Sequence, residues 1–129
     1  MDYKVDEKLR YTKTHEWVRV EGGEVVFGIS DYAQNHLSDV VFVDLPAIGK
    51  EIHAGKACMV IESVKAAEEV FAPISGVVSA RNENLEKSPE LVNKDPFGEG
   101  WLVKVKPGNQ AELAGLMDAV AYRAHLETL

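Results

Sequence analysis

The sequence predicts a mainly β protein, an antiparallel β-sandwich with short helices and a helical cap at its C-terminal end. Two apolar runs, Ala57 to Ile61 and Val70 to Ala72, flank a polar centre that contains Lys65, which is the pattern of a β-hairpin whose turn faces water. A Pro-x-x-Gly turn occurs at Pro46–Gly49 and again at Pro73–Gly76, which suggests two similar β units joined by this hairpin. With 129 residues, 46% of them hydrophobic, the chain is long enough for a single domain, residues 1–129, with its own core.

The chain begins with a predicted lead-in and a first hairpin. Residues 1–10 are mostly polar and are expected to form a loose lead-in. Glu16 to Glu21 alternates like a strand, Gly22-Gly23 offers the positive φ angles of a two-residue turn, and Glu24 to Ile29 returns as the second strand.

A short helix and a core strand are predicted next. Ser30 is a candidate N-cap for a helix that ends at Asp39. The nearly continuous apolar run Val40 to Leu45 predicts a strand covered on both faces. On either side of the lysine hairpin, Lys50 to Ile52 and Val77 to Ala80 predict two short strands.

The last third of the chain predicts loops, one strand and a helical end. Asn82 to Gly100 is expected to form loops with one short helix starting at Ser88-Pro89. Trp101 to Val105 alternates as a strand, with Trp101, Val103 and Val105 facing inward. Residues 109–129 predict a helix or helix pair, opened by a capping box of Asn109 and Glu112 and broken near Gly115 or Asp118.

Charge and composition exclude several classes of function. A net charge of −7 and a pI near 5.1 argue against nucleic-acid binding and favour partners with basic surfaces, although solubility alone explains an acidic surface more simply. The single cysteine, Cys58, fits a reducing compartment and is expected in the core. Because no apolar run is long enough for a membrane span and the N-terminus resembles no targeting signal, we expect a cytoplasmic protein, by default a monomer.

The sequence contains no recognisable catalytic set. Its four histidines are scattered without metal-ligand spacing, and it has no P-loop, dinucleotide fingerprint or G-x-S-x-G motif, so we expect no metal site and no activity of its own. Lys65 on its hairpin is a good attachment point for a prosthetic group. The alternative is that Lys65 is a solvated turn residue like most exposed lysines.

Three motifs resemble one family. Glu62-Ser63-Val64-Lys65-Ala66, preceded by Tyr11 to Val18 and followed by Asp95 to Leu102, is similar to the glycine cleavage system H proteins, from about Leu9 to the C-terminus. The resemblance implies a barrel-sandwich hybrid of the biotinyl/lipoyl-carrier type, with lipoate bound as an amide to Lys65. Biotin carriers usually flank their lysine with methionines, so Val64 and Ala66 favour lipoate.

The resemblance also implies a shuttle cycle with three enzymes. A glycine decarboxylase that uses pyridoxal phosphate (PLP) loads an aminomethyl group on the lipoyl arm, and an aminomethyltransferase passes the methylene to tetrahydrofolate. An FAD-dependent dihydrolipoyl dehydrogenase then reoxidises the arm. A lipoyl or octanoyl transferase, or a lipoate ligase, would attach the group. The chain itself would be a non-catalytic carrier, with no nucleic acid and no membrane among its partners.

Two sets of residues follow from the resemblance. The first set would present Lys65 for lipoylation, and it consists of Glu62, Ser63, Val64 and Ala66. The second set would line a cleft that shelters the loaded arm, and it consists of Thr14, Glu16, His36 and Glu69. We expect Glu16 to face the ammonium of the arm. The simpler alternatives are a surface charge at a strand edge for Glu16, a bond to a backbone carbonyl for His36 and plain solvation of the hairpin for Glu62.

Two positions depart from the family pattern. Glu69 replaces a shorter aspartate, and Ser38 stands where glycine is usual, which is tolerable unless the backbone there needs a positive φ. The alternation of side chains along a strand is expected to fix the direction of the Lys65 side chain.

Three alternative functions remain. They are an H-like lipoate relay outside glycine cleavage, a biotin carboxyl carrier and a free-standing enzyme.

Overall fold

A computed structural model describes residues 2–129, which form nine strands in two antiparallel sheets together with short helices. The strands are β1 (Arg10–Tyr11), β2 (Glu16–Glu21), β3 (Glu24–Ile29), β4 (Val40–Asp44), β5 (Glu51–Ile52), β6 (Ala57–Ser63), β7 (Ala67–Phe71), β8 (Gly76–Arg81) and β9 (Val103–Pro107). The helices are α1 (Asp31–Leu37), α2 (Asn84–Lys87), α3 (Leu91–Lys94) and α4 (Ala119–Glu127), with a 3₁₀ helix at Gln110–Gly115. The predicted antiparallel β-sandwich with a helical C-terminal end is confirmed, without a closed barrel.

The larger sheet has the order β1-β2-β3-β9-β8-β5, and the smaller one has the order β4-β6-β7. The first hairpin pairs Glu21 with Glu24, so Gly22-Gly23 is the two-residue turn. Of these two glycines, only Gly22 has a positive φ, of 61°, which is the pattern of a type II′ turn.

The main core lies between the two sheets. Phe27 from β3, Ile61 from β6 and Val103 from β9 belong to it, and all three are fully buried. Cys58 is buried there too, as predicted. A second cluster on the other face of the larger sheet joins Tyr11, Trp17 and Val26 to Ala119 and Tyr122 of α4. The C-terminal helix therefore covers the outer face of the sheet.

The prediction that Val40 to Leu45 is covered on both faces is wrong. β4 is an edge strand, and Val41 and Phe42 are 53% and 50% exposed beside a β-bulge. By contrast, β3 is buried on both faces, with Val25 facing the main core and Val26 facing the second cluster. An apolar run does not reveal which strands have neighbours on both sides.

Several local predictions need correction. Trp101 precedes β9 and packs with the second cluster, whereas Val103 and Val105 face the main core as expected. The segment predicted to hold one helix near Ser88 has two, α2 and α3. The two Pro-x-x-Gly turns differ, because Gly49 has a φ of 93° and Gly76 does not have a positive φ.

The C-terminal segment is a helix pair with its break at residues 116–118. Asn109 does cap the 3₁₀ helix, since its side chain accepts from the Ala111 N–H. The predicted capping box is not formed, because the Glu112 carboxylate accepts from the N–H and hydroxyl of Ser75 across the fold. Asp118 is the N-cap of α4.

The predicted lead-in is packed against the body of the protein along part of its length. Leu9 is buried, and the Tyr11 hydroxyl accepts from the Asp6 N–H at 2.8 Å. The Lys4 N–H donates to the Asp31 carboxylate at the start of α1. Met1, which belongs to the same prediction, lies outside the described residues.

Candidate functional site

Lys65 lies in the tight turn between β6 and β7, and Ser63 organises this turn. The Ser63 hydroxyl donates to the Ala66 carbonyl at 3.1 Å and accepts from the N–H groups of Lys65 and Ala66 at 3.3 and 3.2 Å. The Ser63 N–H donates to the same Ala66 carbonyl at 2.8 Å. A buried serine therefore fixes the backbone on both sides of an exposed lysine.

The turn is tied to the rest of the fold through its first residue. The Val64 N–H donates to the Asp39 carbonyl at 3.0 Å, just after α1. Lys65 itself belongs to neither strand. The expectation that strand parity sets the direction of Lys65 is therefore wrong, because the Ser63 turn sets it.

Lys65 lines a cavity of about 450 Å³ between its hairpin, α1 and the start of β2. All four predicted cleft residues, Thr14, Glu16, His36 and Glu69, line the same cavity. Apolar side chains contribute much of the remaining wall, among them Ile29, Ala33, Leu37 and Val70. The structure thus brings the predicted attachment point and the predicted cleft together.

Glu16 is the most buried charged residue in this cavity. Its relative exposure is 2%, so the alternative of a strand-edge surface charge is wrong. Its Oε1 accepts from the hydroxyls of Thr12 at 2.6 Å and Thr14 at 2.5 Å, and its Oε2 accepts from the Phe71 N–H at 3.3 Å. Since a carboxylate has about four acceptor positions, these three hydrogen bonds leave one position on Oε2 unused.

Burial changes the pKa of the Glu16 carboxyl. Removal from water raises its pKa above the usual 4.5, and the hydrogen bonds from Thr12 and Thr14 oppose the rise. A cation entering the cavity would also favour the ionised form. The site therefore combines desolvation with a prearranged acceptor, which is suited to an ammonium group.

His36 and Glu69 are exposed side chains at the rim of the cavity. The His36 ring lies 4.3 Å from the Tyr32 ring, centroid to centroid. Within the part of the chain that the structure describes, His36 makes no hydrogen bond to a backbone carbonyl, so that alternative finds no support. With Glu16 and Glu68, Glu69 makes the lining of the cavity more acidic than basic.

His15 was missed by the sequence analysis, although it also lines the cavity. Its Nδ1 lies 2.8 Å from the Tyr122 hydroxyl, which is also 2.7 Å from the Ser30 hydroxyl. Desolvation, followed by the neighbouring His125 and His36, lowers the pKa of His15 to about 4. Only its position beside Glu16 could have suggested a role, because its partner Tyr122 is more than a hundred residues away.

Comparison with known proteins identifies the family. The family described as "Glycine cleavage H-protein" matches residues 9–129. The chain belongs to the glycine cleavage H-protein family. It is 53% identical over 120 residues to the glycine cleavage system H protein of Aeromonas salmonicida, covering 92% of this chain and 93% of that one. It is 52% identical over 124 residues to the corresponding Klebsiella pneumoniae protein, with 95% and 96% covered.

A solved structure supports the same assignment. The crystal structure of a glycine cleavage system H protein from Mycobacterium marinum superposes with a TM-score of 0.88 at 32% identity, over 95% of this chain and 99% of that one. The known function of the H-protein family is that of the lipoyl-carrying shuttle of glycine cleavage. Membership of this family supports the role of a carrier component that interacts with the enzymes of the glycine cleavage system.

The residues predicted to present Lys65 for lipoylation differ in exposure. Glu62, Val64 and Ala66 are exposed around Lys65, and Val64 is 65% exposed. Ser63 is buried and its hydroxyl is occupied by the turn. Any effect of Ser63 on an attaching enzyme would therefore act through the shape of the turn.

The lining is compatible with a lipoyl group on Lys65, because Ile29, Leu37 and Val70 offer apolar surface to its alkyl chain and Glu16 offers an acceptor to an amine carried at its end. Within residues 2–129, no set of three or more His, Cys, Asp or Glu side chains is placed to hold a metal ion. None of the helices between residues 2 and 129 is long and apolar enough to cross a membrane.

Proposed function

We propose that this chain carries lipoate as an amide on Lys65 and presents it to the enzymes of glycine cleavage. The observation that carries the proposal is that Lys65 and the buried Glu16 line one cavity. The group would supply a reversible disulfide that accepts and releases the aminomethyl unit. The protein would supply attachment, orientation and shelter.

Glu16 would receive the ammonium of the loaded arm. The acceptor position left on Oε2 would let it form a charge-assisted hydrogen bond, which would strengthen as the bound arm displaces water from around this buried carboxylate. Thr12 and Thr14 would hold the carboxylate in place through Oε1. The apolar walls would exclude water and so protect the loaded arm from hydrolysis.

The partners follow from this role. They are the PLP-dependent glycine decarboxylase, the tetrahydrofolate-dependent aminomethyltransferase, the FAD-dependent dihydrolipoyl dehydrogenase, and a lipoyl or octanoyl transferase or lipoate ligase. The chain would act as a single-domain carrier with no catalytic activity of its own. A lipoate relay outside glycine cleavage would need Lys65 but not a buried carboxylate, so Glu16 favours the aminomethyl shuttle.

The test is the protection of the loaded arm. The lipoylated protein is loaded by glycine decarboxylase with glycine labelled at its methylene carbon, and the loss of the label as formaldehyde is followed for the native protein and for E16Q. We expect loss from E16Q to be faster by about tenfold to a hundredfold, since a hydrogen bond to a charged group contributes roughly 1.5–3 kcal/mol. E51Q, changed on the exposed edge strand β5, is the matched control. Equal loss from E16Q and the native protein would contradict the proposed role of Glu16.

A further inference from the structure

Asn93 on α3 links three parts of the fold next to the lysine turn. Its Oδ1 accepts from the Val40 N–H at 2.9 Å, and its Nδ2 donates to the Ser38 carbonyl at 2.8 Å and to the Gln34 side chain at 3.0 Å. Ser38 and Val40 are the residues on either side of Asp39. A single side chain therefore holds the backbone on both sides of Asp39.

Asp39 is the residue whose carbonyl holds the lysine turn. It accepts from the Val64 N–H at 3.0 Å. Within the described residues, the other hydrogen bonds of the turn from Val64 to Ala66 stay inside the hairpin. The position of the turn relative to α1 and the cavity thus depends on where Asp39 is held, together with the β4–β6 pairing of Val40 with Ser63.

The backbone at residues 38–40 includes a strained residue that needs stabilising contacts. Ser38 has a φ of 69° and a ψ of −157°, a conformation adopted almost only by glycine. The Ser38 N–H bonds to the carbonyls of Gln34 and Asn35, and the Ser38 carbonyl bonds to Asn93. The bonds of Asn93 therefore help to keep a strained residue in place.

We propose that Asn93 is a positioning residue for Lys65, acting through Asp39 and Val64. This inference rests on the proposed function, because it assigns Asn93 a part in presenting the lysine for lipoyl attachment. Removing the Asn93 amide would let the junction at residues 38–40 relax. The Val64 hydrogen bond would then open more often, and Lys65 would be presented in a wider range of positions.

The experiment compares N93A and N93D with the native protein. N93D has the same shape and keeps an acceptor for the Val40 N–H, but it cannot donate to the Ser38 carbonyl. One readout is amide exchange at Val64 by NMR, relative to exchange at core amides such as Phe27. The other is kcat/KM for attachment of octanoate to Lys65 by a lipoate ligase with ATP.

The matched control is N82A. Asn82 is also a side-chain bridge, although it is more buried than Asn93, with Nδ2 donating to the carbonyls of Glu99 and Trp101. Within the described residues it makes no hydrogen bond with the lysine turn. We expect Val64 exchange to rise about tenfold relative to the core amides in N93A and N93D, as for the loss of an ordinary hydrogen bond or two, and not in N82A. Attachment should slow by a similar factor, mainly through KM.

A second substitution tests the link to Ser38. In the double variant S38G/N93A, glycine accepts the backbone conformation without strain, so Val64 exchange should return toward the native rate. If Val64 exchange in N93A and N93D rises no more than exchange at the core amides, the proposal is overturned. It is also overturned if Val64 exchange in S38G/N93A stays as fast as in N93A. If the native protein takes no octanoate on Lys65, the proposed function fails, and Val64 exchange still decides the positioning role.

Discussion

The burial of Glu16 predicts an unusual dependence of stability on pH. In the unfolded chain its pKa is near 4.5, whereas burial raises the pKa in the folded protein. Between these two values the Glu16 carboxyl is protonated to a greater extent in the folded protein than in the unfolded chain, so the contribution of Glu16 to the free energy of unfolding falls as the pH rises. An ordinary paired carboxylate would give the opposite sign.

The size of the effect follows from the linkage of one proton. The free energy of unfolding can change by at most about 1.36 kcal/mol per pH unit for a single group. E16Q removes this proton but keeps an amide oxygen for the hydroxyls of Thr12 and Thr14. The free energy of unfolding of the native protein, minus that of E16Q, should therefore be flat below pH 4.5. It should then fall until the pKa of the folded protein is passed.

Urea unfolding of both proteins at each pH unit from 4 to 8 measures this difference. E51Q, changed on an exposed edge strand, accounts for the loss of one negative charge. A difference that stays constant, or that grows in favour of the native protein as the pH rises, would refute the conclusion that Glu16 is held in a desolvated site.

Two further predictions concern His15 and Ser38. The pKa of His15 is lowered to about 4 in the folded protein, so the contribution of His15 to the free energy of unfolding should fall as the pH falls from 6.5 to 4. Because the ring is only half-buried, we expect a loss of about 1–2 kcal/mol, which H15N should abolish in acid unfolding curves; an unchanged loss in H15N would contradict this. S38G should raise the free energy of unfolding by about 1 kcal/mol by relieving the strained backbone, and a decrease in urea unfolding would contradict that.

The fold was largely predictable because its strands leave local patterns. The apolar runs around Lys65 predicted the hairpin of β6 and β7, although β7 begins at Ala67, earlier than the apolar run at Val70. Ser30 caps α1 as its side chain and position suggested. Such features depend on neighbours in sequence, which a pattern records directly.

What the sequence did not reveal depends on distant contacts. Val41 and Phe42 are exposed because β4 is an edge strand, and the order of strands is a property of the whole fold. Glu112 bonds to Ser75 instead of closing its own capping box for the same reason. A local pattern records what a side chain can do but not which partner is near.

The candidate site was predicted through the family resemblance and not through spacing. Thr14, Glu16, His36 and Glu69 come from separate segments, and only the fold places them around one cavity with Lys65. The serine at position 38 was expected to be tolerable unless a positive φ was needed, and a positive φ is what the structure has. The contacts of His15 and Asn93 were missed, since their partners lie far away in the chain.

The most direct test of the central claim is the intact mass of the protein purified from its native host, with peptide mapping of Lys65. We predict a lipoyl group in amide linkage on Lys65. Protein with an unmodified Lys65, or with biotin there, would contradict the proposal that this chain is a lipoyl carrier.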